Sequence, residues 1–318
     1  MLRILLIKTS SLGDVVHNLP VVADIAAALP GVTIDWVVEE GFAAIPRLHP
    51  QVSRVLPVAV RRWRRSPWSA GVRAEVRSFL GELRSESYDA VIDTQGLIKS
   101  AWIARAARGI RHGMDWSSSR EPLGWFYDHS YHVPWGQHAV ERNRSLAAQA
   151  LGYALSAPAH YGISAAARHF SWLPAAHPHA VLLHATSAER KLWPEARWVE
   201  LGRVLAARNL VCVLPWGSPA EHLRSQRLAQ QIPQAVVPER LELEVLSALL
   251  AQASVVIGTD TGLTHLAGAL GVPTIGLYCA TDPAATGLYA CARASHLGGI
   301  GVMPEVAAVT AAMDGLLQ

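Results

Sequence analysis

Short apolar runs alternate with stretches of helical periodicity along the chain. Residues 3–8, 33–38, 54–58 and 88–93 are rich in Val, Ile, Leu and aromatic residues, the pattern of buried strands. Residues 72–85, 97–107 and 138–151 carry apolar positions three and four apart, as helices with one buried face do. Another apolar helical stretch runs from the first turn to about Leu29. Strand and helix in alternation predict parallel pairing, with helices on both sheet faces.

The rhythm weakens into Ala, Pro and His over residues 156–178 and then restarts. Strands are expected at 180–184, 210–214, 235–237, 254–258 and 274–277, with helices between them and a last apolar helix at 304–317. His177 and His179 read as linker residues. The fold class is therefore α/β: two Rossmann-like domains, 1–155 and 156–318, facing across a central cleft. The last helix is expected to pack back on the first domain. Open parallel sheets bind ligands beyond the carboxyl ends of their strands, so the loops there are the places to look for chemistry.

Composition narrows the picture. The chain has 318 residues, 51% hydrophobic and only 17% charged, so it can bury a large core and is not disordered as a whole. No apolar run reaches the roughly 18 residues of a membrane-spanning helix. The N-terminus has no basic start, long apolar middle or small-residue cleavage site, and a cytoplasmic location is expected. Cys212, Cys279 and Cys291 are an odd number without CxxC spacing, which argues against a disulfide framework or a zinc site. Net charge is +3, split as +4 over residues 1–155 and −1 over 156–318, so an anionic partner is expected on the first half. Of 28 basic residues only Lys8, Lys99 and Lys191 are lysines.

Five motifs carry candidate chemistry. After the first strand comes Thr9-Ser10-Ser11-Leu12-Gly13-Asp14. Asp14 fits a general base taking a proton from an attacking hydroxyl, and equally a helix N-cap. The turn is not GxGxxG, which counts against a dinucleotide-binding oxidoreductase. Thr186 and Ser187 follow a strand end and precede Lys191; hydroxyls and an ammonium suit a pyrophosphate, while a solvated loop lysine is the plain alternative. In Trp216-Gly217-Ser218-Pro219-Ala220-Glu221 the spacing favours a capping box, with Glu221 as a ribose ligand the second reading. Asp260, Thr261, Gly262 and His265 open a helix after an apolar strand, where unpaired N–H groups and the helix dipole suit a leaving nucleoside diphosphate. The alternative is a capped helix with a packed histidine.

The fifth motif is basic. Residues 41–74 hold seven arginines and no acid, centred on Arg61, Arg62, Trp63, Arg64 and Arg65. Such forks suit carboxylates and phosphates; a solvated basic loop is the default, and nucleic acid or an anionic membrane also fit the composition. Lys99 follows a strand end, and Arg120 and His138 lie in or beside a loop-rich part containing Trp116, Trp125 and Trp135.

Together these segments resemble the heptosyltransferases of lipopolysaccharide inner-core synthesis, glycosyltransferase family 9, and most of all those that add the first heptose. The carriers are KTSSLGDVVHNLP, DWVVEEGFAAIP, VAVRRWRR, YDAVIDTQGLIKSA, HGMDWSSSREPL, QHAVERN, LHATS, LPWGSP and DTGLTHL, spread over residues 1–290. The resemblance implies a GT-B fold and an inverting transfer with no cofactor and no obligatory metal. It implies ADP-L-glycero-β-D-manno-heptose as donor and the inner Kdo of Kdo2-lipid A as acceptor, joined in an α-1,5 linkage at the inner face of the inner membrane. Asp14 matches the family's base. Thr186, Ser187 and Lys191 match phosphate contacts, with Lys191 facing the charge that develops on ADP. Glu221 matches a ribose contact, and Leu241 falls near the nucleotide base. Asp260, Thr261, Gly262 and His265 match the donor-binding turn. Arg61, Arg62, Arg64, Arg65, Lys99, Arg120 and His138 match acceptor-side residues. Departures are Ser187 for Thr, Cys279-Ala280 where Gly-Pro is usual, and Leu241 for a larger flexible side chain.

The rivals are a heptosyltransferase of another rank, a GT-B nucleotide-sugar epimerase, and a bilobed solute-binding protein. The missing leader argues against the last. An RNA-binding role for the arginine segment is weak, because the patch is local. No nucleic-acid partner and no transmembrane segment are expected.

Overall fold

The computed structural model describes residues 2–174, 178–186 and 188–318. The chain divides into two compact units, residues 1–163 and 164–318.

The first unit is a six-stranded parallel sheet of β1 (Arg3–Ile7), β2 (Thr33–Glu39), β3 (Val52–Val58), β4 (Tyr88–Asp93), β5 (Gly109–Met114) and β6 (His129–Tyr131), in the order β3-β2-β1-β4-β5-β6. Ile4, Leu5, Leu6 and Ile7 of β1 are fully buried, as an uninterrupted apolar run in a central strand must be. The helix Ala139–Leu151 packs on the helix Leu19–Ala28. There the buried Arg144 places both Nε and Nη2 on Asp24, at 2.7 and 3.0 Å.

The second unit is a five-stranded parallel sheet of β7 (His179–Leu183), β8 (Val211–Val213), β9 (Val255–Thr259), β10 (Thr274–Tyr278) and β11 (Ala294–Gly298), ordered β11-β10-β9-β7-β8. The strand expected at 235–237 is reduced to one parallel bridge, Val213 with Val236. Counting that bridge as a vestigial outer strand, both units have the same order. In each, the chain leaves its first strand one way and returns on the other side, so one pair of neighbouring strands sends its loops in opposite directions. Those pairs are β1 with β4 and β7 with β9, the switch points where α/β sheets hold ligands.

The last helix, Val306–Leu317, buries Val306, Val309 and Met313 in the core of the second unit. That core includes the fully buried Trp193 and Trp198, edge to face at 5.0 Å. His179 is no linker residue: it begins β7, is buried, and lies 3.3 Å from the Leu249 carbonyl through Nε2. His177 lies outside the described residues. Strands β5, β6 and β11 went unpredicted; each mixes Gly, His or Ser into a partly exposed run near a sheet edge. The three cysteines are free thiols.

Candidate active site

In the first unit, Ile7 and Asp93 are register partners at the carboxyl ends of β1 and β4. The two loops that follow are stitched together. Gln95 Oε1 accepts the N–H of Thr9 at 3.0 Å and of Ser10 at 2.9 Å. Lys8 Nζ donates to the Thr94 carbonyl at 2.7 Å, and Lys99 Nζ donates to Ser10 Oγ at 2.6 Å. Asp93 anchors the second loop: it is fully buried and accepts the N–H of Gln95 and Gly96 at 2.9 and 3.2 Å and the Tyr127 hydroxyl at 2.8 Å. Burial pushes its pKa up, and those hydrogen bonds oppose the rise. Gly96 has φ of +64°, a conformation that a side chain disfavours.

Asp14 stands half-buried at the third position of the short helix Leu12–Val16. Its Oδ2 accepts both the N–H and the hydroxyl of Ser11, at 2.7 and 2.8 Å. The capping reading is therefore present in the structure. It occupies one carboxylate oxygen; Oδ1 accepts no hydrogen bond among the described residues. One oxygen fixes the carboxylate and the other is left open.

Cations gather around this carboxylate. Lys8 is buried, and desolvation lowers its pKa against the pull of Asp14 and Asp93; Arg142 and Arg120 add to the lowering. Lys99 is lowered in the same way, with Glu39 and Asp14 opposing and Arg61 and Arg64 adding. These groups thus lie within electrostatic reach of one another. Arg61 also sits over the Phe42 ring, its Cζ at 5.4 Å from the centroid, and its N–H donates to Glu39 Oε1 at 2.9 Å. Arg64, Arg65 and Arg120 are exposed.

Two of the expected acceptor-side residues have other employment. Arg62 bridges Glu40 and Glu75, with contacts of 3.0 and 2.8 Å. Those acids flank the acid-free window of the sequence on either side. His138 is buried as the N-cap of the helix Ala139–Leu151: its Nδ1 accepts the Val140 N–H at 3.2 Å and its ring meets His17 at 5.3 Å.

Sequence reasoning missed Lys8, Glu39, Gln95 and Arg142. Arg142 lies over the Trp135 ring at 3.9 Å and donates to the Ser118 carbonyl at 2.6 Å. The scarcity of lysine was the signal for Lys8. A carboxylate at the end of an apolar strand was the signal for Glu39, whose N–H reaches the Thr9 carbonyl at 3.1 Å.

In the second unit, Leu183 and Gly258 are register partners, so the loops after β7 and β9 again start from adjacent strand ends. Thr259 Oγ1 donates to the carbonyls of Leu183 and Ala185 at 3.3 and 3.2 Å, and Thr186 Oγ1 donates to the Asp260 carbonyl at 3.2 Å. Ser187 lies outside the described residues. Lys191 does not stand in solvent: its Nζ donates to Asp260 Oδ2 at 2.6 Å. Thr281 donates to the same oxygen at 2.8 Å, and His265 Nε2 is 3.5 Å from Oδ1. Burial alone would raise Asp260, but His265, Lys191 and Thr281 outweigh it and hold the carboxyl well below the usual range.

Thr261 caps the helix Gly262–Ala269, whose first N–H groups point out of the strand end. Behind this turn, Thr264 Oγ1 donates to the Thr259 carbonyl at 2.7 Å, filling space that a side chain on Gly258 would need. Glu221 shows the capping reading: Ser218 caps the helix Pro219–Ala229, and Glu221 Oε2 accepts the Gly217 N–H at 2.7 Å. Trp216, stacked on His222 at 4.1 Å, was missed as a neighbour of this loop. Leu241 is half-buried in the segment before the helix Leu243–Ala251.

The comparisons with known proteins agree with this geometry. Residues 76–312 match the model of glycosyltransferase family 9 (heptosyltransferase). The chain is 49% identical over 292 residues to lipopolysaccharide heptosyltransferase 1 of Escherichia coli K12, covering 91% of each protein. Its structure is similar to that of the E. coli heptosyltransferase WaaC with ADP, at a TM-score of 0.91 and 44% identity, covering 99% of this chain and 100% of that one. The E. coli WaaC structure with ADP-2-deoxy-2-fluoro heptose gives a TM-score of 0.87 at 43% identity, covering 99% of each chain. The architecture is the GT-B fold, and the chain belongs to glycosyltransferase family 9, the heptosyltransferases.

Proposed function

We propose that the protein transfers L-glycero-D-manno-heptose from ADP-heptose to the inner Kdo of Kdo2-lipid A, with inversion, forming the α-1,5 linkage of the lipopolysaccharide inner core. The observation that carries the reading is Asp14: a carboxylate fixed through one oxygen, open at the other, and surrounded by cations suited to an anionic acceptor.

Asp14 takes the acceptor hydroxyl proton as that oxygen attacks the anomeric carbon on the face opposite ADP. A single displacement inverts the configuration. Positive charge grows on the sugar ring and negative charge on the departing diphosphate. Lys191 and the N–H groups at the start of the helix Gly262–Ala269 stabilise the diphosphate. Thr186 and Ser187 contact its phosphates, Glu221 the ribose, and Leu241 lies beside the base. In the free protein Lys191 is held by Asp260, which sets the ammonium in place before the donor arrives. Asp260 is a hydrogen-bond acceptor and suits a sugar hydroxyl better than a phosphate oxygen.

On the acceptor side, Arg61, Arg64, Arg65, Arg120 and Lys99 hold the Kdo carboxylates and lipid A phosphates. Arg62 and His138 act mainly by positioning, given their partners. No metal or other cofactor is assigned a step. No helix among the described residues is long and apolar enough to cross a membrane. The enzyme works in the cytoplasm, peripherally at the inner face of the inner membrane, where this acceptor is presented.

The test is incubation with ADP-heptose and de-acylated Kdo2-lipid A, followed by mass spectrometry and NMR of the product. Gain of one heptose at the Kdo 5-hydroxyl is expected. Transfer only to an acceptor that already carries a heptose would assign the protein a different rank in the family.

A further inference from the structure

The chain uses its tryptophans unevenly. Trp36, Trp193 and Trp198 are fully buried. Among the described residues the strongly exposed ones, Trp68, Trp102, Trp116, Trp125 and Trp135, all belong to the first unit. Three of them form a continuous ridge. Along the helix Ile98–Ala106, the exposed positions are Ile98, Trp102 and Arg105, four and then three residues apart, so they share one face. The turn Gly124–Phe126 packs on that helix, with the Phe126 ring edge-on to Trp102 at 5.4 Å. Trp125 meets Trp116 at 6.5 Å, and the Trp116 indole fills the space that a side chain on Gly124 would need. Trp102, Trp116 and Trp125 are nonetheless 62%, 59% and 83% exposed, so the contacts of Trp102 with Phe126 and of Trp116 with Trp125 leave most of each ring uncovered.

The charge around this ridge has a sign. Arg105, Arg108 and Arg120 are exposed and make no ion pair among the described residues. The acids nearby are fewer: Asp128 is balanced by Arg111, and Glu121 and Asp115, held by the Ile98 N–H and by Ser117 and Ser118, stand against these three arginines, so the rim is net positive. An exposed apolar patch of aromatic rings rimmed by unpaired arginines matches an anionic bilayer interface, where indoles sit at headgroup level and guanidinium groups meet lipid phosphates. The ridge also adjoins the site: Lys99, next to Ile98 on the same helix, places its ammonium on Ser10 beside Asp14.

We propose that the Trp102–Trp116–Trp125 ridge is a membrane-docking surface that seats the first unit on anionic lipid and brings the Asp14 loop to the headgroup layer. The proposal rests on the lipid-linked acceptor assigned above.

The test compares wild type, a Trp102→Ser/Trp125→Ser double variant and an Arg105→Glu/Arg108→Glu double variant. Binding is read by co-sedimentation with phosphatidylethanolamine/phosphatidylglycerol vesicles and with neutral phosphatidylcholine vesicles. Transfer is read on soluble de-acylated acceptor and on Kdo2-lipid A embedded in the anionic vesicles. Wild type is expected to bind the anionic vesicles, and both variants about tenfold or more weakly. Transfer to the embedded acceptor should fall in step, while transfer to the soluble one stays within about twofold, which also shows that the variants fold. Unchanged binding by both variants overturns the proposal. So does a wild-type dimer in sedimentation velocity that the tryptophan variant abolishes, coupled with no vesicle binding, because the ridge would then cover a second copy. If wild type binds anionic vesicles through the ridge yet transfers to neither acceptor, docking stands and the assigned acceptor fails.

Discussion

In the first unit the segments after β1 and β4 bring Lys8 and Lys99 towards one carboxylate, Asp14, and arginines from beyond β3 and β5 and from the helix Ala139–Leu151 lie within electrostatic reach of those lysines. In the second, the loops after β7 and β9 close a lysine directly onto Asp260, at 2.6 Å. The two sheets share a strand order, and the polar loops grow from equivalent switch points. What differs is where the balancing charge comes from. On the proposed function, the first site suits an anion that brings its own charge and a hydroxyl to be deprotonated, and the second a diphosphate that competes with Asp260 for Lys191. One scaffold thus supports two electrostatic strategies, separated in sequence and decided by a few loop residues.

Substitutions sharpen this contrast, and the largest effect is expected at Asp14. Asp14→Asn keeps the contact to Ser11 and removes the base, so turnover should fall by about a thousandfold or more, with donor affinity by calorimetry unchanged. Next comes the core beneath the second site. Trp198→Ala should destabilise the protein by about 3–5 kcal/mol, read by chemical denaturation, because the ring is fully buried against Trp193.

Lys191→Ala should lower turnover by about a hundredfold and also weaken ADP binding; unlike the Asp14 variant, it moves both readouts. Arg61→Ala with Arg64→Ala should raise the acceptor KM by about tenfold at low salt and leave the donor Kd alone. A loss confined to donor binding would break the division between the two units.

A last effect, on stability and not on rate, is a pH dependence. His184 is buried against Ser225, at 2.8 Å, and burial lowers its pKa to about 4. Unfolded, it titrates near about 6.5. The unfolded chain therefore binds the proton more readily, and the His184 contribution is complete above pH 6.5 and lost as pH falls towards 4. It amounts to at most about 3 kcal/mol. The midpoint of thermal unfolding should decline over this window, and His184→Gln should flatten the decline. Asp260, depressed in the folded state, adds a similar loss below about pH 4.

Much of this was legible in the chain. The buried strands β1, β4, β7 and β9 announce themselves because both of their faces are covered, and the polar loops that follow stand out against them. The DTGLTHL turn and Asp14 were singled out as candidates for that reason. Strands β5, β6 and β11 were not legible in this way, because each is partly exposed and buries too few residues to impose a pattern. Pairing was also hidden. The Arg62 bridge needs Glu40 and Glu75, one on each side of it in sequence, to meet in space. Lys191 and Asp260 are separated by the loops and helices between two neighbouring strands, and only the sheet order brings them together. Lysine scarcity was the sharpest cue of all: Lys8, Lys99 and Lys191 each end at a switch-point loop.

The most direct test of the division of labour is ADP release from ADP-heptose, with and without de-acylated Kdo2-lipid A, by wild type and by Asp14→Asn. Release that needs both the acceptor and Asp14, with ADP-heptose binding intact in the variant, is the predicted result. Release by wild type in the absence of acceptor, or near-normal release by Asp14→Asn in its presence, would contradict it.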